Sequence, residues 1–121
     1  MKRVSWKTIE SFVDEIAILH EKEKFTGVYG LPRGGLVLAV MISNKLNIPM
    51  LMAPCQGCLI VDDIADTGRS LEHYTINETQ QNKYFIATVF YKNWSKVLPN
   101  YYLKLKKDEW ILFPWEYEEL V

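Results

Sequence analysis

The chain has 121 residues, 49% of them hydrophobic, which suits one domain over residues 1–121 with a buried core. A net charge of −1 leaves no global field to draw it to nucleic acid or an anionic membrane. No apolar run is long enough to span a bilayer, and residues 1–6 turn polar too early for a signal peptide, so the cytoplasm is the expected location.

Ile9, Phe12, Val13, Ile16 and Leu19 recur at helical spacing and predict an amphipathic helix over roughly residues 6–23. Residues 25–29 read as a short strand interrupted by Gly27, followed by a loop, Gly30-Leu31-Pro32-Arg33-Gly34-Gly35. Residues 36–46 are apolar and helix-prone, with Asn47 as the stop. Ile48-Pro49-Met50-Leu51 is expected as a second short strand, residues 53–57 as a turn, and Leu59-Ile60-Val61 as a third, buried strand. A polar-faced helix is expected from Ser70 to about Gln81, then a fourth strand over residues 84–91. Beyond Lys92 the pattern changes: Tyr101-Tyr102-Leu103 and Trp110-Ile111-Leu112-Phe113 look like strands with no helix between them. The alternation of strand and helix predicts an α/β fold, a parallel β-sheet flanked by helices on both faces. Loops after the first and third strands would then meet at the carboxyl edge, where open α/β sheets bind ligands.

Two features are read as structural. Cys55-Gln56-Gly57-Cys58 resembles half a zinc site or a redox pair, but His20 and His73 lie far off in sequence and the pair leads into a strand rather than opening a helix. Ordinary reduced thiols in a tight turn are expected. Lys104, Lys106 and Lys107 form a basic patch, read as a solvated edge.

The most informative stretch runs from Leu59 through Asp62-Asp63-Ile64-Ala65-Asp66-Thr67-Gly68-Arg69-Ser70 to Leu71. A buried strand ends in adjacent carboxylates, and a Thr-Gly-Arg-Ser loop opens a helix. That arrangement aims backbone N–H groups at a phosphate, while the carboxylates suit sugar hydroxyls or a hard cation. Gly30 to Gly35 is the second signal: its glycines let backbone approach an anion, and Arg33 adds a charged donor fork. Other readings compete for these residues. Asp66-Thr67-Gly68 matches an aspartic-protease half-site, which needs an all-β chain. Leu-Ile-Val-Asp-Asp resembles the first strand of a receiver domain, which belongs near an N-terminus. The plainest alternative is a strand ending in solvated acids, followed by a helix cap.

The segment from Asp62 to Ser70 resembles the 5-phosphoribosyl-1-pyrophosphate (PRPP) motif of the type I phosphoribosyltransferases. The later order Lys92, Trp110-Ile111, Phe113-Pro114-Trp115-Glu116 resembles the bacterial xanthine-guanine/hypoxanthine members. The resemblance implies a Rossmann-like fold with a small C-terminal β hood, and transfer of phosphoribose from PRPP to a 6-oxopurine with Mg²⁺ as cofactor. It implies Asp66 as the acid/base at purine N7, and Asp62 and Asp63 on the ribose hydroxyls, with Asp63 also the metal ligand. Ala65, Asp66, Thr67, Gly68, Arg69 and Ser70 would cradle the 5′-phosphate. Arg33, Gly34 and Gly35 would hold pyrophosphate, with a cis peptide at Pro32–Arg33. Lys92 would meet the 6-oxo group, Trp110 would stack on the base, and Ile111 would offer it backbone groups. PRPP, a purine base and a second copy in a homodimer are the implied partners, with no nucleic acid or membrane. One departure stands out: where the family has a long flexible loop, only Met52-Ala53-Pro54-Cys55-Gln56-Gly57 remains, without arginine or lysine. Loop closure excludes water from such sites. The shortened loop therefore keeps an alternative open, a non-catalytic module that binds PRPP or a nucleotide for regulation.

Overall fold

The computed structural model describes residues 1–66, 68–76 and 83–118. In chain order the elements are β1 (Lys2–Arg3), α1 (Trp6–Glu23), β2 (Val28–Gly30), α2 (Gly34–Leu46), β3 (Leu59–Ala65), α3 (Arg69–Ile76), β4 (Phe85–Tyr91), β5 (Tyr101–Leu105) and β6 (Ile111–Leu112). Strands β2-β3-β4-β5 form one sheet in that order, with every pair parallel. This is the expected α/β architecture.

α1 has the bounds its periodicity predicts. The Ser5 side chain caps it by accepting the Thr8 N–H at 3.3 Å, and Lys24 closes it in a left-handed conformation. Its buried stripe is Ile9, Phe12, Val13 and Ile16. These pack with Leu38 and Ile42 of α2 against Leu59, Val61, Ala87 and Val89 on one face of the sheet. The opposite face buries Ile60 and Ile86 beneath Leu71 of α3 and Val97. Helices thus cover both faces, as an all-parallel sheet requires. No helix among the described residues is long and apolar enough to cross a membrane.

Several expectations need revision. The first strand lies at Val28–Gly30 rather than over residues 25–29, because Phe25 turns into the core and stacks on His20. The expected strand at residues 48–51 is only a single bridge, Met50 to Val28. Pro49 has no N–H to extend the pairing, and Met52 is already 97% exposed. α2 begins at Gly34, two residues early. β3 continues through Asp62 and Asp63 to Ala65, so these carboxylates sit within the strand instead of at its end. α3 is described from Arg69 to Ile76; its expected continuation to Gln81 lies outside the described residues. The two late strands separate. β5 joins the main sheet beside β4, while β6 pairs in parallel with β1, at Lys2↔Ile111 and Arg3↔Leu112. The C-terminal hood is therefore completed by the N-terminus.

Candidate functional site

Because the sheet is parallel, the loops that follow β2, β3 and β4 emerge at one edge. Register sets their spacing: Gly30 pairs with Val61 and Ala65 with Tyr91, so β3 projects beyond β2 and carries its acids alongside the β2–α2 loop.

That loop is short. Leu31 N–H donates to the Val61 carbonyl at 3.0 Å, the Pro32–Arg33 peptide is cis as expected, and α2 starts at once. Its glycines are dictated by close approach. A Cβ at Gly34 would overlap the Asp63 carboxylate, and one at Gly35 would lie 2.5 Å from the Val61 carbonyl oxygen. The first turn of a 13-residue helix therefore sits directly against Asp63, and the Arg33 side chain is exposed beside it.

Asp62 and Asp63 each use one oxygen locally. Asp62 Oδ1 accepts the Asp63 N–H at 2.9 Å, and Asp63 Oδ1 accepts the Ile64 N–H at 2.8 Å. Burial first, then the neighbouring Asp63 charge, pushes the Asp62 carboxyl from 3.8 up to about 8. The folded state thus favours protonated Asp62. Its contribution to stability is complete below the ordinary carboxyl range and disappears as pH rises through about 8. Melting of the metal-free protein in chelator should show a Tm that falls between about pH 5 and about pH 8.5, and Asp62→Asn should flatten the decline. An equal slope in both proteins would place the titration elsewhere.

Among the described residues no cluster of three or more His, Cys, Asp or Glu is poised to hold a metal. Asp63, set against the start of α2, fits Mg²⁺ nonetheless, since that ion is commonly held by one or two carboxylates plus substrate oxygens.

Asp66 follows β3 directly. The carboxyl edge brings it to Lys92, whose N–H donates to the Ala65 carbonyl at 3.0 Å and whose Nζ lies 3.0 Å from Asp66 Oδ1. Lys92 is buried to 9% exposure and its ammonium stands 4.8 Å from the centre of the Trp94 ring. Burial opposes the charge, but the bond to Asp66 and the Asp66 and Asp108 charges outweigh it and hold Lys92 above the usual lysine range. The sequence links Lys92 and Asp66 in no way; only the β3–β4 register does.

Below Asp66 a pocket of about 90 Å³ is lined by Asp62, Ile64, Ala65, Asp66, Gly68, Arg69, Ser70 and Leu71. It opens at the N-terminus of α3, and its lining includes Ala65, Asp66, Gly68, Arg69 and Ser70 of the expected phosphate cradle; Thr67 lies outside the described residues. Gly68 has φ +81° and its N-terminal helix bond is in place, Glu72 N–H to Gly68 carbonyl at 2.8 Å.

Trp110 is 60% exposed, so it is no core residue; Phe113 fills that role at 2%, stacked on Trp115 with centroids 5.0 Å apart. Ile111 is buried. Lys2 N–H bonds the Trp110 carbonyl and Val4 N–H the Leu112 carbonyl, so the backbone groups of Ile111 itself point away from β1. Among the described residues no ring contact or hydrogen bond ties Trp110 to Lys92. Two contributors escaped the sequence reading. Trp94 underlies the Lys92 ammonium, and its spacing two residues after Lys92 was the available signal. Lys106 is half-buried, unlike exposed Lys104 and Lys107, so the basic patch is not uniformly a solvated edge.

Cys55 is exposed and Cys58 buried, both free, and burial pushes the Cys58 thiol up to about 11. A thiol held that firmly protonated is a poor nucleophile, in line with a structural turn.

No protein-family model matches the chain. A xanthine-guanine phosphoribosyltransferase of Desulfotalea psychrophila is 28% identical over 140 residues, covering 95% of this chain and 86% of the relative. One from Cereibacter sphaeroides is 30% identical over 116 residues, covering 74% of this chain and 68% of the relative. The chain belongs to the type I phosphoribosyltransferase family. Solved structures agree. A purine phosphoribosyltransferase from Pyrococcus horikoshii superposes with TM-score 0.80 at 29% identity, covering 96% of this chain and 94% of that one. A Helicobacter pylori xanthine-guanine-hypoxanthine phosphoribosyltransferase shares the fold with TM-score 0.81 at 23% identity, covering 98% and 95%. Membership makes this a transferase, and the phosphoribosyltransferase fold extends over nearly the whole chain.

Proposed function

We propose that this phosphoribosyltransferase joins the 5-phosphoribosyl group of PRPP to a 6-oxopurine, giving a nucleoside 5′-monophosphate and pyrophosphate. The observation that carries this reading is the convergence at one sheet edge of the Gly34 helix start, the Asp62-Asp63 pair, the α3 pocket and the Asp66–Lys92 ion pair.

The reaction asks for charge control at two places. Arg33 and the Gly34–Gly35 backbone would stabilise the departing pyrophosphate. Asp62 and Asp63 would orient the ribose hydroxyls, with Asp63 the metal ligand; bound Mg²⁺ would supply further neutralisation of the leaving charge. Ala65, Thr67, Gly68, Arg69 and Ser70, with the Asp66 backbone, would hold the 5′-phosphate at the α3 terminus. Asp66 would take the N7 proton of the incoming base. Its partner in the site is the Lys92 ammonium, 3.0 Å away. A 6-oxo group reaching the Lys92 ammonium would share that cation and free Asp66 for the proton. Stacking on exposed Trp110 and the outward backbone of Ile111 would set the base plane. The protein is proposed to work as a homodimer, which sedimentation would check.

The test is nucleotide formation from PRPP and Mg²⁺ with guanine, hypoxanthine and xanthine in turn. Product with any of them supports the transferase. PRPP or nucleotide binding without product selects the second reading, a regulatory binding module. One observation favours that alternative: the segment before β3 is short and tied down, with Gly57 N–H bonded to the Lys83 carbonyl and its own carbonyl to Thr26 N–H.

Trp110→Ala should weaken purine binding roughly ten- to hundred-fold, since stacking a base on an aromatic ring is worth about 1–3 kcal/mol. Its exposure means that Tm should hardly move. Calorimetric binding of a purine nucleotide beside a melting curve checks both, and unchanged affinity would place the base elsewhere.

A further inference from the structure

Thr88 lies within β4 at 0% exposure, and its Oγ1 is the only buried side-chain oxygen or nitrogen among the described residues without a hydrogen-bond partner. A hydroxyl shut away from water and left unbonded is costly, so its presence asks for a reason. Parallel register sets Thr88 between Asp62 of β3 and Tyr102 of β5. Register partners project from the same face of a sheet, on strands about 4.8 Å apart. Here that is the face under α3: Ile60 and Ile86, two residues earlier on the two strands and themselves partners, pack with Leu71. The Tyr102 ring is taken up against Tyr91, with centroids 4.9 Å apart, and carries its hydroxyl at the far end. Asp62 is therefore the polar neighbour on the sheet that a Thr88 hydroxyl can serve. The Asp62 carboxyl lines the pocket at the α3 terminus, whereas Thr88, one strand further in, does not. Its described bond is local, from the Asp63 N–H to Oδ1 at 2.9 Å.

We propose that Thr88 is a positioning residue of the ribose subsite: its hydroxyl donates to the Asp62 carboxylate when a sugar diol binds, a bond that the empty site leaves unmade. The inference rests on the transferase reading, in which Asp62 orients the ribose hydroxyls. A carboxylate accepts hydrogen bonds from several directions, so receiving two sugar hydroxyls at once asks that its plane be held. A diol entering from the pocket displaces water from Asp62, and a carboxylate out of water gains most from a further donor. Rotation about side-chain bonds of the two residues closes the gap. Thr88 gives up no hydrogen bond in turning.

The experiment is calorimetric binding of guanosine 5′-monophosphate and its 2′,3′-dideoxy analogue to the full chain, as wild type, Thr88→Val and Thr88→Ser, with a melting curve for each. Wild type should prefer the ribonucleotide. Thr88→Val keeps the branched shape without the unpaired hydroxyl, so it should melt no lower than wild type while the preference falls roughly ten-fold. Thr88→Ser should retain the preference. In an Asp62→Ala background Thr88→Val should change the preference no further, because the partner is already gone. Thr88→Ala carries the same comparison if Thr88→Val melts too low. An undiminished preference in Thr88→Val, equal weakening of both nucleotides, or an effect that persists in Asp62→Ala overturns the role of Thr88. Failure of wild type to bind either nucleotide would instead overturn the transferase reading, and binding of both without preference the ribose role of Asp62; this inference falls with either.

Discussion

Asp66→Asn should lower the rate of nucleotide formation about 10²- to 10⁴-fold, the usual loss when a positioned acid/base is removed. The amide keeps the size of the carboxylate and can still accept a hydrogen bond from Lys92, so the edge of the sheet keeps its shape. What it cannot do is take a proton from the base. It also removes the charge that, against burial, holds Lys92 protonated, so the variant tests one charge in two roles. Single-turnover rates with saturating PRPP and base isolate the chemical step. Binding of a nucleoside 5′-monophosphate, measured on the same preparation, should change far less, because in the proposed site the phosphate would meet backbone at the α3 terminus. Wild-type turnover in Asp66→Asn would remove this residue from the proton step.

Gly68→Val is expected to damage both phosphate binding and the fold. Read as a sequence, this glycine belongs to the phosphate loop and should matter more for the ligand than for stability. Its surroundings change that balance. φ is +81°, where a β-branched residue is strained by about 1–3 kcal/mol. A Cβ there would also lie 2.7 Å from Ser95 Oγ and 2.8 Å from the backbone nitrogens of Lys96 and Val97. Backbone atoms cannot swing aside as a flexible side chain can. The segment after Lys92 would therefore shift, carrying the Ser95 turn with it, in which Ser95 Oγ bridges the Val97 carbonyl and amide. Tm should fall by several degrees, and nucleotide affinity by roughly ten-fold or more as the cradle opens. A variant with wild-type melting would show that the segment after Lys92 accommodates the side chain; wild-type nucleotide affinity would show that this loop does not hold the phosphate.

The same contact sets the loop before α3 against the segment that follows Lys92. Lys96 reaches back to Glu72 of α3 at 3.8 Å, while Lys92, a few residues earlier, holds Asp66. The surface pair contributes little by itself, but at Gly68 the two loops meet backbone to backbone.

How far the sequence determined this protein depends on the range over which each feature is decided. α1 was legible from its 3.6-residue apolar period, and the Ser5 and Lys24 caps that fix its ends are likewise settled within a few residues of chain. The close approach at Gly34 and Gly35 was legible for a similar reason: backbone packed that tightly demands glycine locally. Pairing across the sheet was not. Whether Tyr101 to Leu103 covered the site or extended the main sheet depended on which strand edge was free, and the edge of β4 was. The partner of Ile111 and Leu112 turned out to be Lys2 and Arg3, at the other end of the chain, and two polar residues carry no periodicity that would reveal a strand. Likewise Trp110 and Phe113 are both large aromatics a turn apart, and only packing against Phe90 decided that Phe113 is buried and Trp110 left outside. The pairing of Lys92 with Asp66, and the burial of Lys106 beside them, rest on the β3–β4–β5 register. Parallel register joins residues whose separation along the chain is set by the intervening crossover, so it is decided by the packing of the whole sheet and leaves no mark in the local sequence.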